Sequence, residues 1–228
     1  MLHGLLVGNL ATWYFTGAPA LARTHHVLLY DLRGHGRSER PRAGYDLATM
    51  ARDLEALADE FSPEPLLLVG HSYGALIALR FALDNPDRVR RLALVEAPLP
   101  PGSFGEITGF MSRRPDEMIE AMPPALRAYL QGGGRRARRL VSSLAALATE
   151  TSLLADIARE PDLPDDVLAR LRCPVLCVYG RDSACAPVGE RLARVIDDCT
   201  LVTLDGGHFL PLEAAPEVAQ TLVEFANG

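Results

Sequence analysis

Five residues, Gly70-His71-Ser72-Tyr73-Gly74, constrain this chain more than any other stretch. They stand between an apolar run, Leu66-Leu67-Leu68-Val69, and a segment at 74–84 that reads as a helix. A serine held in a very sharp strand-to-helix turn has a strained backbone. The residues two before and two after it nearly collide, so both must be small, and both are glycine here. Such a turn lifts the Ser72 hydroxyl above a sheet and aims the N–H groups of a helix N-terminus at any anion forming there. An ordinary glycine-rich turn would lack the flanking strand and helix.

The rest of the chain supplies the sheet. Short, continuously apolar runs at 25–30, 66–70, 91–96, 174–179 and 200–204 predict buried strands. Helical spacing predicts helices at 46–61, with Asp46 as N-cap, and at 74–84, 187–196 and 215–226. Strands that do not alternate, separated by helices, indicate an α/β fold: a mostly parallel, doubly wound sheet covered on both faces. The pattern breaks at Pro98-Leu99-Pro100-Pro101-Gly102. From there to about 171 only helical stretches are expected, near 115–130 and 136–158, parted by Gly132-Gly133-Gly134.

Composition removes several function classes. The 228 residues carry a net charge of −6, which gives no whole-molecule attraction to nucleic acid. All 23 basic residues are arginine, so chemistry that needs a lysine amine is excluded. Cys173, Cys177, Cys185 and Cys199 form no metal-ligand spacing and read as free, mostly buried thiols, consistent with a reducing compartment. With no apolar stretch of membrane-spanning length and no secretory pattern at the start, a cytoplasmic protein without membrane partners is expected.

A serine hydroxyl needs an adjacent base. Of the six histidines, His208 is the favoured one. It follows the last strand in Gly206-Gly207-His208-Phe209, and loops past the carboxyl ends of parallel strands build sites in such sheets. His71 neighbours Ser72, but its side chain should point away at such a turn. His25, His26 and His35 belong to the 25–31 strand and the loop after it. A carboxylate must orient the base. Asp182, just after the strand at 174–179, is the leading candidate. Glu96, ending the preceding strand, is the alternative acid, and Asp205 more naturally caps its own turn.

Here the sequence resembles the α/β-hydrolase family, through GHSYG at 70–74, DLRGHGRS at 31–38 and GGHFLPLEAAPEV at 206–218. The resemblance covers about 25–98 and 172–228. It implies a hydrolase core at 1–97 and 172–228 with a helical lid at 98–171. It also implies a triad in the order Ser72, Asp182, His208, with some members placing the acid where Glu96 stands. The implied oxyanion donors are the backbone N–H groups of Tyr73 and of Leu5, in His3-Gly4-Leu5. Asp31 is implied to be structural. The serine disfavours dehalogenase and epoxide hydrolase chemistry, for which the family uses aspartate at that position.

The expected activity is a serine hydrolase cleaving an ester or thioester of a hydrophobic acid through an acyl-enzyme, with no cofactor and no metal. Hydrolysis of a carbon–carbon bond in a diketone or polyketide-like substrate uses the same triad, and a non-catalytic binding protein is the reading from another class. A substrate bound to a carrier protein or to coenzyme A would suit a docking role for Arg113, Arg114, Arg135, Arg136, Arg138 and Arg139; a solvated helix face is the plainer reading. Phe104, Ile107, Phe110, Met111, Met118, Ile119, Met122, Leu130 and Leu140 could line an acyl pocket or bury the lid's own helices. One departure stands out. Only Met1 and Leu2 precede His3, where the family runs a central strand, so either residues are missing upstream or that strand is rebuilt from Leu5–Val7.

Overall fold

A computed structural model describes residues 1–5, 8–100, 105, 109–110, 112–120, 122, 124–132 and 134–228. Four parallel strands form the sheet: β1 (Leu66–His71), β2 (Val89–Val95), β3 (Val175–Gly180) and β4 (Cys199–Leu204), side by side in that order. The main helices are α1 (Leu47–Phe61), α2 (Tyr73–Asp84), α3 (Gly134–Glu150), α4 (Ala186–Val195) and α5 (Ala215–Asn227). Asp46 caps α1 by accepting from the Thr49 N–H at 2.8 Å, as its position before the apolar periodicity predicts. Among the described residues, no helix is long and apolar enough to cross a membrane.

The strands alternate between two cores, which is why they read as continuously apolar. Leu68, Leu92, Leu94, Val175, Cys177 and Tyr179 face α1, α2 and α4. Val69, Ala93, Val95, Leu176 and Val178 face Trp13, Leu21, Leu210 and the Val218 and Leu222 side of α5. With both faces covered, the inner stretches of the strands are apolar on both sides. Between β2 and β3 the described segment is helical, at Pro115–Glu120, Pro124–Gly132, α3, Leu153–Ala158 and Asp165–Leu168. The expected helix at 136–158 is broken after Glu150, where the chain turns through Thr151 and Ser152. Phe104, Ile107 and Met111 lie outside the described residues, as do the side chains of Arg136 and Arg138.

The run at 25–30 corrects the sequence reading: it is not a strand of the sheet. A strand requires a partner ladder, and the segment that lies between it and β1 is Met1–Leu2. The amino group of Met1 donates to the Leu28 carbonyl at 2.8 Å, while Leu2 makes a single parallel bridge to Gly70. Below that bridge a cavity of 210 Å³ separates Val27 and Leu28 from Leu66 and Leu67. Leu5 occupies a bend, and residues 6 and 7 of the proposed rebuilt strand lie outside the described residues.

Tertiary bonds compensate for the brevity of Leu2. Its N–H donates to Val69 O at 2.8 Å, and its carbonyl accepts from both His71 N at 3.0 Å and Trp13 Nε1 at 2.8 Å. Trp13 is fully buried and packs against Gly17 and Leu222. Trp13→Ala should therefore cost about 3–5 kcal/mol, read as a lower urea midpoint. Trp13→Phe, which keeps an aromatic ring but removes the donor, should cost less, about 1–3 kcal/mol for the lost hydrogen bond.

Candidate active site

Met1–Leu2 lies between the 25–30 run and β1, with the later strands beyond β1. From Leu2 the chain steps first to one side and then back to the other, so its order reverses between Leu2 and β1, and the crevice at such a reversal opens at the carboxyl ends of the strands. Ser72 stands there, between β1 and α2. Its φ is 53° and ψ −125°, a left-hand-side conformation that L-residues rarely adopt. Packing imposes it. A Cβ on Gly70 would lie 2.4 Å from the Ala75 Cα, and one on Gly74 would lie 2.4 Å from the His3 carbonyl oxygen. The two glycines make the approach possible, as the spacing implied.

The structure brings Ser72 and His208 together across 136 positions: Ser72 Oγ and His208 Nε2 are 2.9 Å apart. On the other side of the ring, His208 Nδ1 lies 3.2 Å from Glu96 Oε2. Glu96 is fully buried. It follows β2 with a φ of 54°, the second left-handed non-glycine residue of the described chain. Its Oε1 accepts from the Gly180 N–H at 2.5 Å, and its Oε2 also accepts from the Ser183 hydroxyl. A buried carboxylate is tolerable only when its lone pairs are occupied, and here three donors occupy them.

Asp182 does not meet His208, which corrects the leading candidate for the acid. Its side chain is exposed, and its backbone N–H donates to Gly206 O at 3.0 Å. That bond ties the loop after β3 to the His208 loop through main chain. The residue that turns inward is the next one, Ser183, and it serves Glu96 instead of the ring. Asp205 is also exposed and pairs with Arg181 on the surface. The position weighed as the alternative, Glu96, is therefore the carboxylate at the imidazole.

Burial disfavours the His208 cation, but hydrogen bonds to the Cys185 sulfur and the Glu96 carboxylate outweigh it and push His208 up to about 9. The Glu96 carboxylate is the nearer of the two, at 3.2 Å from Nδ1 against 3.8 Å for the Cys185 sulfur.

His71 points away from Ser72, as expected, and does something the sequence did not reveal. Its Nε2 donates to the His208 carbonyl at 2.8 Å, so it anchors the loop that carries the base. Burial lowers it to about 3, which keeps it neutral and able to donate. Gly4 lies directly against this pair: a Cβ there would be 3.0 Å from His71 Nδ1 and from the Ser72 Cβ. Leu5 is buried just beyond, and its carbonyl lies 3.1 Å from His35 Nε2. Tyr73 opens α2 immediately after Ser72, and its hydroxyl donates to Tyr45 O at 2.9 Å. Asp31 accepts from the Leu10 and Arg37 N–H groups at 2.8 and 2.9 Å, a structural task. Cys185 had no sequence signal, because nothing in its spacing connects it to His208.

Comparisons with known proteins identify the fold. The family model described as alpha/beta hydrolase fold matches residues 1–132. A RutD protein of Variovorax paradoxus, named as a carbamate hydrolase, is 32% identical over 240 residues, covering 99% of this chain and 90% of its own. A hydrolase from Pseudomonas aeruginosa superposes with a TM-score of 0.81 at 27% identity, covering all of this chain and 89% of that one. A thermophilic esterase from Thermogutta terrifontis reaches 0.80 at 25%, with 99% and 88% covered. The chain belongs to the α/β hydrolase fold family. Named relatives of the chain are hydrolases.

Proposed function

We propose that this protein is a serine hydrolase that cleaves an ester or thioester of a hydrophobic acid through an acyl-enzyme. The 2.9 Å contact between Ser72 Oγ and His208 Nε2 carries the reading. Ser72 attacks the acyl carbonyl and passes its proton to His208 Nε2. Glu96 keeps the other proton on Nδ1 and stabilises the imidazolium, so the ring faces Ser72 with a lone pair. The Tyr73 N–H, at the start of α2, and the Leu5 N–H, beside Gly4, are the proposed oxyanion donors. His208 returns its proton to the leaving group, and a water activated at the same nitrogen releases the acid.

Hydrophobic acyl groups are favoured by the apolar side chains gathered at Phe209. Met122 and Leu130 form a small apolar cluster with Phe110, Ile119, Leu140, Val141 and Phe209, the residue after His208. A graded series of p-nitrophenyl esters, a thioester, a carbamate and a vinylogous diketone would assign the substrate class. Turnover of the medium-chain esters or the thioester above the others is expected. The RutD likeness makes the carbamate the informative rival. Preference for the carbamate or the diketone would overturn the ester assignment while keeping the triad.

The pH profile follows from the His208 shift. The base must be neutral to accept the Ser72 proton, and its pKa is raised to about 9. The competent fraction of free enzyme therefore grows with pH, and kcat/KM should rise about tenfold per unit from pH 6 toward 9 before levelling. A profile that is flat between pH 5 and 8 would contradict His208 as the base.

A further inference from the structure

We propose that Glu96, Cys185 and His208 form a binding site for one thiophilic divalent cation of the zinc class, and that its occupancy switches the hydrolase off. Cys185 is buried, and its Sγ lies 3.8 Å from His208 Nδ1, the same nitrogen that lies 3.2 Å from Glu96 Oε2. The sulfur, nitrogen and carboxylate oxygen all lie within 4.8 Å of one another. A tetrahedral zinc site with usual bond lengths puts sulfur and nitrogen about 3.6 Å apart, and nitrogen and oxygen about 3.4 Å apart. The sulfur–nitrogen and nitrogen–oxygen separations are thus within a few tenths of an ångström of ligating distances. They also supply the thiolate, imidazole and carboxylate set that zinc accepts, and leave the fourth position to water.

Charge supports the same site. A thiolate and a carboxylate together neutralise a divalent ion, so the bound cluster puts no net charge into a buried place. Binding breaks the S–H bond of Cys185, whose proton leaves to solvent, and moves the ring proton of His208 from Nδ1 to Nε2 as the metal–sulfur and metal–nitrogen bonds form; nothing is oxidised or reduced. The carboxylate exchanges its hydrogen bond to Nδ1 for a bond to the ion, while Gly180 N–H and Ser183 still hold it.

The consequence for catalysis rests on the proposed triad. With the ion on Nδ1, the remaining ring proton resides on Nε2 and faces Ser72 Oγ. The imidazole then donates where it must accept, and Ser72 has no base. Inhibition by this route lowers kcat and leaves KM unchanged, because the ion sits behind the ring and away from the acyl site.

Two arms test it. In the first, cobalt(II) is added to the folded protein and its absorption spectrum recorded. One equivalent should bind with a sulfur-to-cobalt charge-transfer band, present in wild type and in Ser72→Ala and lost in Cys185→Ala. This arm reads the site even if the chain hydrolyses no ester. In the second, zinc(II) should lower kcat reversibly, with recovery on chelation. Measured against its own zinc-free rate, Cys185→Ala should need at least about tenfold more zinc for the same fractional loss of kcat, since even residues that only orient a metal ligand cost that much when lost. Circular dichroism confirms that each variant folds. No bound cobalt in wild type, or a sulfur band that survives in Cys185→Ala, would overturn the site. Zinc inhibition that competes with substrate would overturn the tautomer mechanism.

Discussion

Glu96→Gln lowers kcat about 10⁴-fold on this reading, the loss seen when the acid of such a triad becomes an amide. The direction follows from the donors around the side chain. The Gly180 N–H can only donate, so it takes the amide oxygen. The NH₂ group is then left facing His208 Nδ1, which must accept. The imidazole proton moves to Nε2, the wrong tautomer for taking the proton of Ser72. The charge that raises His208 also disappears, so the residual activity should titrate at a lower pH than the wild-type value of about 9. Asp182→Asn serves as the comparison, because its exposed carboxylate touches none of the three groups; its kcat should stay near wild type. Steady-state kinetics on one p-nitrophenyl ester, with melting curves for both variants, check this. A large loss in Asp182→Asn with little loss in Glu96→Gln would restore Asp182 as the acid.

Ser72→Ala has the larger expected effect, about 10⁶-fold in kcat, since no other hydroxyl stands at His208 Nε2 among the described contacts. A fluorophosphonate should label wild type once per chain at Ser72 and leave Ser72→Ala unlabelled, as read by mass spectrometry. Failure to label folded wild-type protein would favour a binding protein over an enzyme. Stability offers a second readout at the same position. Alanine keeps the strained φ of 53°, so its melting temperature should match wild type. Ser72→Gly relieves the strain and should gain about 1 kcal/mol.

Two histidine neighbours separate legible from illegible features. His208 could be found from sequence because it follows an apolar strand and a glycine pair, a place where parallel sheets build sites. His71 could also be placed, since the tight turn around Ser72 forces the preceding side chain away. Its bond to the His208 carbonyl could not be foreseen, because that contact spans 137 positions. The run at 25–30 has the composition of a buried strand and is buried in part. It lacks a ladder because strand formation depends on the neighbour, which no local pattern contains.

Local rules were sufficient for the alternation of strands and helices, the two-sided burial of the sheet and the collision that demands Gly70 and Gly74, because each depends on residues a few positions apart. The acid was decided elsewhere. Asp182 and Glu96 both end neighbouring parallel strands, and each is a plausible partner on paper. A left-handed turn at Glu96 sends its carboxylate inward, while the loop after β3 presents Ser183 to it and leaves Asp182 in solvent. Which of two carboxylates reaches an imidazole more than a hundred residues from one of them is a matter of side-chain direction in space, and only the packed chain contains that information.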